Sequence, residues 1–421
     1  MKEKRTNEHF SEDSKQIKID FNLFNKFLKQ AEIGSTELLL RWTYTLLPYW
    51  YKILEELQKV VTREIEQLWY DKIKLPQIIS NKYVSHLQKE WLFHTWNENH
   101  DFFLVSWYEI LAAVTFLENN ESLNQLPVKY YNIADVFRQI PKTRFLKNME
   151  FNICEINSFR HTDNEAQEEK ILLNDKFKEV LNKLKIKYIE INDSLWKKWQ
   201  LKIYCYFPFL KKFWWIFCTK ATDNEYFKNI KWHEHDEIYQ VNASFTERIL
   251  SLYLWTHMDK RGFILDKKIA PYQIYINQKD FSEEILNNLK QDLYDLDLKY
   301  LIKDIRGNQQ NYDYFNAKGI PINIWAWSHQ LKIRSRAQND VQRMDINNIK
   351  ENIYNTITNY ELEFKNNFEF INMTENLKIE EYKENVVYIY PSNIELNLKD
   401  TWLKKLWYID EHNLAYVKWI I

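Results

Sequence analysis

The segment from Glu247 to His257 constrains the fold more than any other part of the sequence. Its apolar residues are almost continuous: Ile249, Leu250, Leu252, Tyr253, Leu254 and Trp255. A run of this kind predicts a buried helix, and Arg248 would lie in its first turn. Burying an arginine without a partner is costly, so the pattern predicts either a structural carboxylate beside Arg248 or an anionic ligand.

Glycine is unusually scarce in this chain. The 421 residues include 4 glycines, whereas average usage of about 7% would give about thirty. Aromatic residues are abundant instead, at 16%. Glycine is needed where the backbone takes a positive φ or approaches a ligand closely, so its loss from a ligand site changes that site.

Length, charge and cysteine content limit the class of protein. The length allows about three domains. The net charge of −1 provides no global field for nucleic acid, so such a contact must come from local basic surface. Cys154, Cys205 and Cys218 form neither a C-x-x-C pair nor an even set, so neither a disulfide framework nor a thiolate zinc site is indicated. The sequence has no run of about eighteen apolar residues, the length that would suggest a membrane-spanning helix. We therefore expect a soluble cytoplasmic protein with no membrane partner.

The segment from Tyr239 to Ile276 resembles the third active-site motif of prolyl-tRNA synthetases and the start of their anticodon-binding domain. That family has, roughly, Q-T-S-W-G-V-S-T-R, an apolar helix, T-H-G-D-D-R-G, a leucine and I-A-P-x-Q. The residues in register are Gln240, Arg248, Thr256, His257, Asp259, Arg261, Gly262, Leu265, Ile269, Ala270, Pro271 and Gln273. The resemblance implies a class II ligase in which Arg248 packs on ATP. A buried ion pair remains the alternative for Arg248.

The segment from Val136 to Glu169 resembles the second motif of the same family. The matching residues are Phe137, Arg138, Glu150, Phe151, Glu155, Ser158, Phe159, Thr162, Glu165 and Glu168. The resemblance implies that Arg138 neutralises charge at the α-phosphate while the amino acid carboxylate attacks it. It also implies that Phe151 stacks on adenine opposite Arg248.

The resemblance implies a set of binding residues for each substrate. For ATP the set is Arg138, Glu150, Phe151, Gln240 and Arg248, with Arg138 and Arg248 catalytic. For proline it is Glu109, Glu155 and Asn157, with Glu109 receiving the imino nitrogen. For tRNA it is Arg306, Lys318, Lys332 and Arg334. ATP and Mg²⁺ are the expected cofactors, and no metal site made by protein residues is expected.

Several family positions carry different residues here. The replacements are Trp107 for a threonine, Ile140 for a glutamate, Lys147 and Met149 for arginines, Asn157 for a histidine, and Trp214 and Trp215 within a segment of small residues. Bulky side chains in a pocket for a small imino acid should obstruct it unless the backbone has moved.

The predicted fold class is α+β. We expect an N-terminal arm (residues 1–36), a class II catalytic domain with an antiparallel sheet and flanking helices (37–268), an α/β anticodon-binding domain (269–366) and a small C-terminal appendix (367–421). Helical periodicity over 38–69 has Pro48 as a break or start, alternation over 102–169 indicates strands, and strand, helix, strand, helix and strand follow Pro271. Residues 70–80 match the family's dimer motif, which implies a homodimer.

Other sequence signals are ambiguous. His233, Glu234, His235 and Asp236 could bind a metal, but their spacing in a polar segment is more typical of a solvated turn. A basic cluster fits phosphate contacts or a solvated face equally well: Lys332, Arg334, Arg336 and Arg343. Trp325 and Trp327 could stack on bases or pack internally.

The leading hypothesis is a proline--tRNA ligase. The main alternative is a non-catalytic, synthetase-like protein that binds tRNA or another partner, and a third hypothesis is an interaction protein built on the same scaffold. The retained motif residues favour the enzyme, whereas the replacements favour the alternatives.

Overall fold

The computed structural model describes most of the chain from residue 21 onward. The described residues are 21–35, 45–84, 92–97, 100–118, 125–139, 149–191, 200–207, 212–222, 238–305, 307–327, 330–338, 341–344, 348–360, 369–372, 386–391, 403–408 and 413–418. None of the helices among them is long and apolar enough to cross a membrane.

Helices and strands alternate along the chain. The helices are α1 (Phe21–Gln30), α2 (Pro48–Glu66), α3 (Glu109–Glu118), α4 (Asp163–Lys183), α5 (Arg248–Thr256), α6 (Glu283–Asp295), α7 (Asn308–Lys318) and α8 (Ile349–Thr358), with short 3-10 turns at Asn81–Tyr83 and Gln278–Asp280. The strands are β1 (Gly34–Ser35), β2 (Thr45–Leu46), β3 (Asp71–Lys72), β4 (Ile78–Ser80), β5 (His94–Asn97), β6 (His100–Leu104), β7 (Val128–Phe137), β8 (Glu150–Arg160), β9 (Ile189–Ile191), β10 (Gln200–Phe207), β11 (Lys212–Thr222), β12 (Tyr239–Thr246), β13 (Met258–Asp259), β14 (Gly262–Phe263), β15 (Ile274–Asn277), β16 (Tyr300–Lys303), β17 (Ile322–Trp327), β18 (Gln330–Ser335), β19 (Val341–Met344), β20 (Glu369–Asn372), β21 (Val386–Pro391), β22 (Leu403–Tyr408) and β23 (Asn413–Lys418).

A seven-stranded sheet forms the centre of the larger part of the protein. Its strand order is β3-β7-β8-β12-β11-β10-β9, and its neighbouring strands are antiparallel except for the short parallel pair β3 and β7. Side chains alternate between the two faces of each strand. One face carries Ile156, Val241, Ala243 and Phe217, which share a core with α2 and α4. The other face, under α3, carries the candidate site.

The ends of the flanking helices follow from local sequence. Pro48 occupies the first turn of α2, where its missing N–H costs nothing, so the predicted helix start at this proline is confirmed. Thr162 caps α4 by accepting a bond from the Glu165 backbone N–H, while the Glu165 carboxylate accepts from the Thr162 N–H. Helix α4 therefore begins immediately after β8.

The expectation of strands and turns throughout residues 102–169 is wrong in two places. Helix α3 interrupts the segment between β6 and β7, and α4 begins before its end. The α3 sequence is apolar on nearly all sides, so its periodicity does not distinguish a buried helix from a buried strand. Its side chains pack on the sheet, where Phe116 stacks on Phe159 with ring centroids 4.1 Å apart.

The second unit confirms the order expected after Pro271. Its five-stranded sheet has the order β16-β15-β17-β18-β19, with β15 parallel to both β16 and β17. One face packs on α6 and α8 through an isoleucine- and leucine-rich core. A third, four-stranded sheet in the C-terminal part has the order β20-β21-β23-β22.

The two larger sheets meet at a junction that contains two of the glycines. A Cβ at Gly262 would lie 2.2 Å from the Asn316 carbonyl oxygen, and a Cβ at Gly319 would lie 2.9 Å from the Phe263 backbone. Gly319 also ends α7 with a φ of +68°. These close approaches require glycine.

A buried ion pair ties the junction together. Both terminal nitrogens of Arg336, which is fully buried, donate to the Asp259 carboxylate at 3.0 and 2.7 Å. Burial raises the pKa of Asp259, but hydrogen bonds and charge from Arg336 and Arg261 outweigh this and hold it well below its usual range. The bidentate geometry fixes the angle between β13 and the end of β18.

Helix α1 belongs to the junction, although the sequence predicted an arm. Phe24 lies edge-on to Trp255 and to Phe263, at 5.3 and 5.9 Å between ring centroids. The Trp50 indole N–H donates to the Ala31 carbonyl at 2.7 Å. The end of the predicted arm therefore packs between the two larger units.

We predict that Arg336→Met lowers the free energy of unfolding by about 1.5–3 kcal/mol, because it removes charge-assisted hydrogen bonds at the junction while the partly exposed Asp259 keeps its pair with Arg261. Urea denaturation followed by tryptophan fluorescence measures the change. The control is Lys350→Met, which removes an exposed lysine paired with Asp295 and should change the transition little. Equal effects of the two substitutions would contradict a special role for the buried pair.

Candidate active site

The candidate site is a row of polar side chains on the inner strands of the central sheet. In β12, Gln240 and Asn242 lie two residues apart and share a face. Asn242 is opposite Asn157 in β8 and opposite Lys220 in β11, and Glu155 lies two residues before Asn157. Strand register therefore brings together polar groups from three strands.

Amide hydrogen bonds connect this row. The Gln240 Nε2 donates to the Asn157 Oδ1 at 2.9 Å and to the Glu109 carbonyl at 3.1 Å. The Asn242 Nδ2 donates to the Asn157 Oδ1 at 3.1 Å and to the Glu155 Oε2 at 3.3 Å. The three amides and the Glu155 carboxylate from the sheet are all buried, so the network holds its members in fixed orientations.

Glu155 is the most deeply placed carboxylate of the site. Burial raises the pKa of its side chain to about 7, a repulsion from Glu109 adds to this, and the Tyr108 backbone N–H, Lys220 and Asn242 oppose it. Its Oε1 has no hydrogen-bond partner among the described residues. Glu155 can therefore accept a further donor.

Glu109 begins α3 and meets the sheet through Lys220. The Lys220 ammonium donates to the Glu109 Oε2 in a largely buried ion pair. Burial lowers the pKa of Lys220, but the Glu109 charge and hydrogen bond reverse this, and the net pKa is above the ordinary value. The other oxygen, Glu109 Oε1, is buried and has no hydrogen-bond partner in the described part of the chain.

Arg138 follows β7 and lies between two aromatic rings. Its Cζ is 3.7 Å from the Trp107 ring centroid and 5.1 Å from that of Phe151, and its Nη2 donates to the Ser106 carbonyl at 2.9 Å. Burial lowers the pKa of Arg138 to about 10, Glu155 opposes this, and the charge of Arg248 adds to it. The guanidinium remains charged at neutral pH.

Arg248 lies in the first turn of α5, as predicted. Its Cζ is 5.2 Å from the Trp215 ring centroid, and burial lowers its pKa to about 10 against the charge of Glu247. The two arginines place positive charge on the same side of the sheet. Both predicted alternatives for Arg248 therefore apply in part. The charge of Glu247 acts on the Arg248 guanidinium, and the Arg248 side chain also borders the site.

Glu150 and Phe151 lie on opposite faces of β8. Phe151 is buried on the face of the site, whereas Glu150 is exposed on the other face. Burial and the neighbouring Asp135 raise the pKa of Glu150. This placement argues against a direct contact of Glu150 with a nucleotide stacked on Phe151.

Of the four residues expected to contact tRNA, the three that the structure describes do not form one exposed surface. Arg306 lies outside the described residues. Lys318 is buried and donates to the Ala31 carbonyl at 2.5 Å and to Glu32 at 3.2 Å, which argues against a phosphate contact. Arg334 is also buried and donates to the Tyr312 hydroxyl at 2.9 Å. Lys332 is partly exposed.

Several other sequence signals lie outside the described residues, including the segment from His233 to Asp236, as well as Ile140 and Lys147. Among the residues that are described, no three His, Cys, Asp or Glu side chains are close enough to hold a metal ion.

Two members of the site were missed by sequence reasoning. Lys220 interrupts a strand rich in aromatic residues, and Asn242 lies two positions after Gln240 in a strand whose polar and apolar residues alternate. Strand periodicity would have placed Asn242 beside Gln240. The proximity of Lys220 to Glu109 depends on the packing of α3 against the sheet, which no local pattern reveals.

Solved structures of known proteins share this fold. The chain superposes on prolyl-tRNA synthetase from Giardia lamblia in complex with prolyl-adenylate with a TM-score of 0.76 and 14% identity, covering 95% of this chain and 98% of that one. For the synthetase from Cryptosporidium parvum complexed with L-proline and AMP, the TM-score is 0.75 and the identity 15%, over 94% and 97% of the two chains.

Curated sequences give the same result. The proline--tRNA ligase of Pyrococcus horikoshii is 26% identical over 364 residues, which cover 76% of this chain and 71% of the relative. That of Mycoplasma mycoides is 26% identical over 408 residues, covering 85% and 81%. The chain is a divergent relative of the prolyl-tRNA synthetases. No protein-family model matches it.

Divergence from the prolyl-tRNA synthetases is visible within the site. The tryptophans expected to fill the pocket contact its arginines: Trp107 stacks on Arg138, and Trp215 lies beside Arg248. The Trp214 side chain is outside the description. Cation–π contacts stabilise a guanidinium where water is excluded, so two of the bulky replacements support the positive charges of the site.

We predict that Glu155→Gln changes the pH dependence of stability. A carboxyl with a folded pKa near 7 and an unfolded pKa of about 4.3 binds more protons when folded, so its contribution to stability falls as pH rises between these values. Glu155→Gln removes this decline and should gain stability relative to the original protein between pH 5 and pH 8.

Urea unfolding at several pH values measures this difference. The control is Glu179→Gln, at an exposed position on α4, which should follow the original protein across the range. Parallel profiles for Glu155→Gln and the original protein would show that Glu155 does not titrate as described.

Proposed function

We propose that this chain is a proline--tRNA ligase, which activates proline with ATP and transfers the prolyl group to the proline tRNA. The observation that carries the proposal is the pair of partly buried guanidinium groups, Arg138 and Arg248, on the same side of the sheet as Glu155 and Glu109. Cationic groups that can bind phosphate therefore lie beside carboxylates that can bind an ammonium group. The similarity to curated proline--tRNA ligases supports proline as the substrate.

Adenylate formation needs positioning and charge neutralisation more than proton transfer. The proline carboxylate is itself the nucleophile, and negative charge develops around the α-phosphate as the new bond forms. Arg138 has its Nε without a hydrogen-bond partner among the described residues, so it can donate to an incoming oxyanion. Arg248 would bind phosphate oxygens further along the nucleotide, and Phe151 offers a ring for adenine.

Proline would bind in the network below the arginines. Glu109, Glu155, Asn157 and Gln240 each have a buried polar atom that lacks a hydrogen-bond partner in the described structure. Such atoms are costly unless a ligand or water satisfies them. An amino acid with an ammonium group and a carboxylate supplies both donors and acceptors.

Mg²⁺ is expected with ATP, and the described residues do not provide a site for it on their own. The ion usually keeps several waters and binds through one or two carboxylates together with phosphate oxygens. It would therefore enter with the nucleotide, where it neutralises phosphate charge. Glu150 is an unfavourable ligand because it lies on the opposite face from Phe151.

We propose that residues 37–268 form the catalytic domain, 269–366 the anticodon-binding domain and 367–421 a C-terminal appendix, while residues 1–36 include a helix that packs at the junction. In the second sheet, Trp325, Lys332 and Arg343 are cross-strand neighbours on β17, β18 and β19. An aromatic ring beside two cations suits stacking on bases and contact with phosphates. This row is the tRNA contact that the structure supports best.

A homodimer in the cytoplasm is part of the proposal. The dimer motif after α2 leaves two large apolar side chains exposed, Trp69 at 86% and Ile78 at 48% of their surface. Burying them against a second copy would remove apolar surface from water.

One observation favours the alternative of a non-catalytic, synthetase-like protein. Lys220 already pairs with Glu109, the carboxylate expected to receive the imino nitrogen of proline. If that pair closed the pocket, the chain would retain the fold and bind tRNA without activating proline.

Proline-dependent exchange of pyrophosphate into ATP tests the proposed activity. We expect the purified chain with Mg²⁺ to catalyse exchange, and Arg138→Ala to reduce it by about 100- to 1000-fold, the usual effect of losing one fixed oxyanion donor. The matched control, Arg63→Ala, removes an exposed arginine of α2 and should retain activity. No exchange, with tRNA still bound, would favour the alternative.

A charge reversal in the second sheet tests the tRNA contact. Lys332→Glu combined with Arg343→Glu should weaken tRNA binding by at least tenfold and reduce its salt dependence, since two phosphate contacts are lost. Filter binding at several salt concentrations measures both effects. Lys350→Glu on α8, on the opposite side of this sheet, is the control; an equal loss there would indicate a nonspecific charge effect.

A further inference from the structure

The carboxylate of Glu109 already has a cation from its own chain. Lys220 contacts its Oε2, and the Glu109 side chain is 11% exposed while that of Lys220 is 34% exposed. Because the ion pair forms between α3 and β11, it holds the start of the helix against the sheet. A substrate ammonium that approached Glu109 would have to share this carboxylate with Lys220 and would be repelled by it.

Glu155 has only uncharged hydrogen-bond partners. It is fully buried, its Oε2 accepts from the Asn242 amide at 3.3 Å, and the Tyr108 backbone N–H also donates to it. Its Oε1 has no hydrogen-bond partner among the described residues. An ionised carboxylate in such a place is unfavourable unless a cation joins it.

Given the proposed function, on which this assignment rests, we propose that Glu155, and not Glu109, receives the ammonium group of the substrate. Lys220 is then a positioning residue, because it holds Glu109 in an internal ion pair. The substrate class is an amino acid with a secondary ammonium, whose N–H groups are directed to the buried Oε1 of Glu155. Glu109 then contributes the shape of the pocket and the orientation of α3.

The two carboxylates should therefore respond oppositely to substitution. Glu155→Gln removes the charge with which the substrate ammonium would pair. Glu109→Gln combined with Lys220→Met removes both members of the internal pair, and replacing a whole buried pair by neutral side chains is often well tolerated. Removing one member alone leaves a buried charge without its partner.

Pyrophosphate exchange at varied proline concentration separates these roles in the full chain. We expect Glu155→Gln to raise the KM for proline by about 30-fold or more, the effect of losing one member of a buried charge pair, with a smaller change in kcat. The double variant Glu109→Gln/Lys220→Met should raise KM less than Glu155→Gln does, since both members of the internal pair are removed together and no unpaired charge is left. A KM for the double variant as high as that for Glu155→Gln would overturn the assignment.

Thermal unfolding without substrates tests the internal pair independently of activity. We expect Glu109→Gln and Lys220→Met each to lower the melting temperature, and the double variant to recover most of the loss, as coupled neighbours do. Additive losses would overturn the role of Lys220. Absence of exchange by the original protein would overturn the proposed function, and with it the role of Glu155, but would leave the coupling of Lys220 and Glu109 measurable.

Discussion

Burial of charge on one face of an antiparallel sheet is the constraint on which the rest of the structure depends. Arg138, Arg248, Glu155 and the Glu109–Lys220 pair all lie where water is largely excluded. Each charge needs a partner there, and the neighbouring amides and tryptophan rings provide part of the compensation. Strand alternation keeps this polar set away from the apolar core beneath α2 and α4. A ligand with both phosphate and ammonium groups would complete the compensation.

The junction between the two larger sheets shows the same principle in a structural role. The Asp259 carboxylate accepts from both Arg336 and Arg261, so its charge is already paired within the chain. Gly262 and Gly319 allow the backbones to approach closely at the same place. In a chain with only 4 glycines, these positions are used where no side chain fits. The site and the junction thus differ in whether their buried groups are already paired.

Divergence from the relatives changes side chains more than the backbone. The fold superposes closely at 14–15% identity, because many apolar sequences can form the same two-sided sheet. Within the site, Trp107 and Trp215 contact the arginines they accompany. Lys220 adds a charge that pairs with Glu109. The contacts within the site therefore depend on how neighbouring side chains pair with one another, which single positions do not reveal.

The sequence alone determined the elements with strong local signals. Apolar continuity and Arg248 defined α5, Pro48 defined the start of α2, and alternating segments after Pro271 defined the second sheet. Motif resemblance selected Arg138, Phe151, Glu155 and Gln240 as candidates, and strand register places Phe151, Glu155 and Gln240 on one face of the sheet. Only the tertiary structure decided that α3 is a helix, that α1 packs at the junction, that Glu150 faces away from Phe151, and that Lys220 meets Glu109. These facts depend on contacts between segments distant in sequence, whose free energies no local pattern contains.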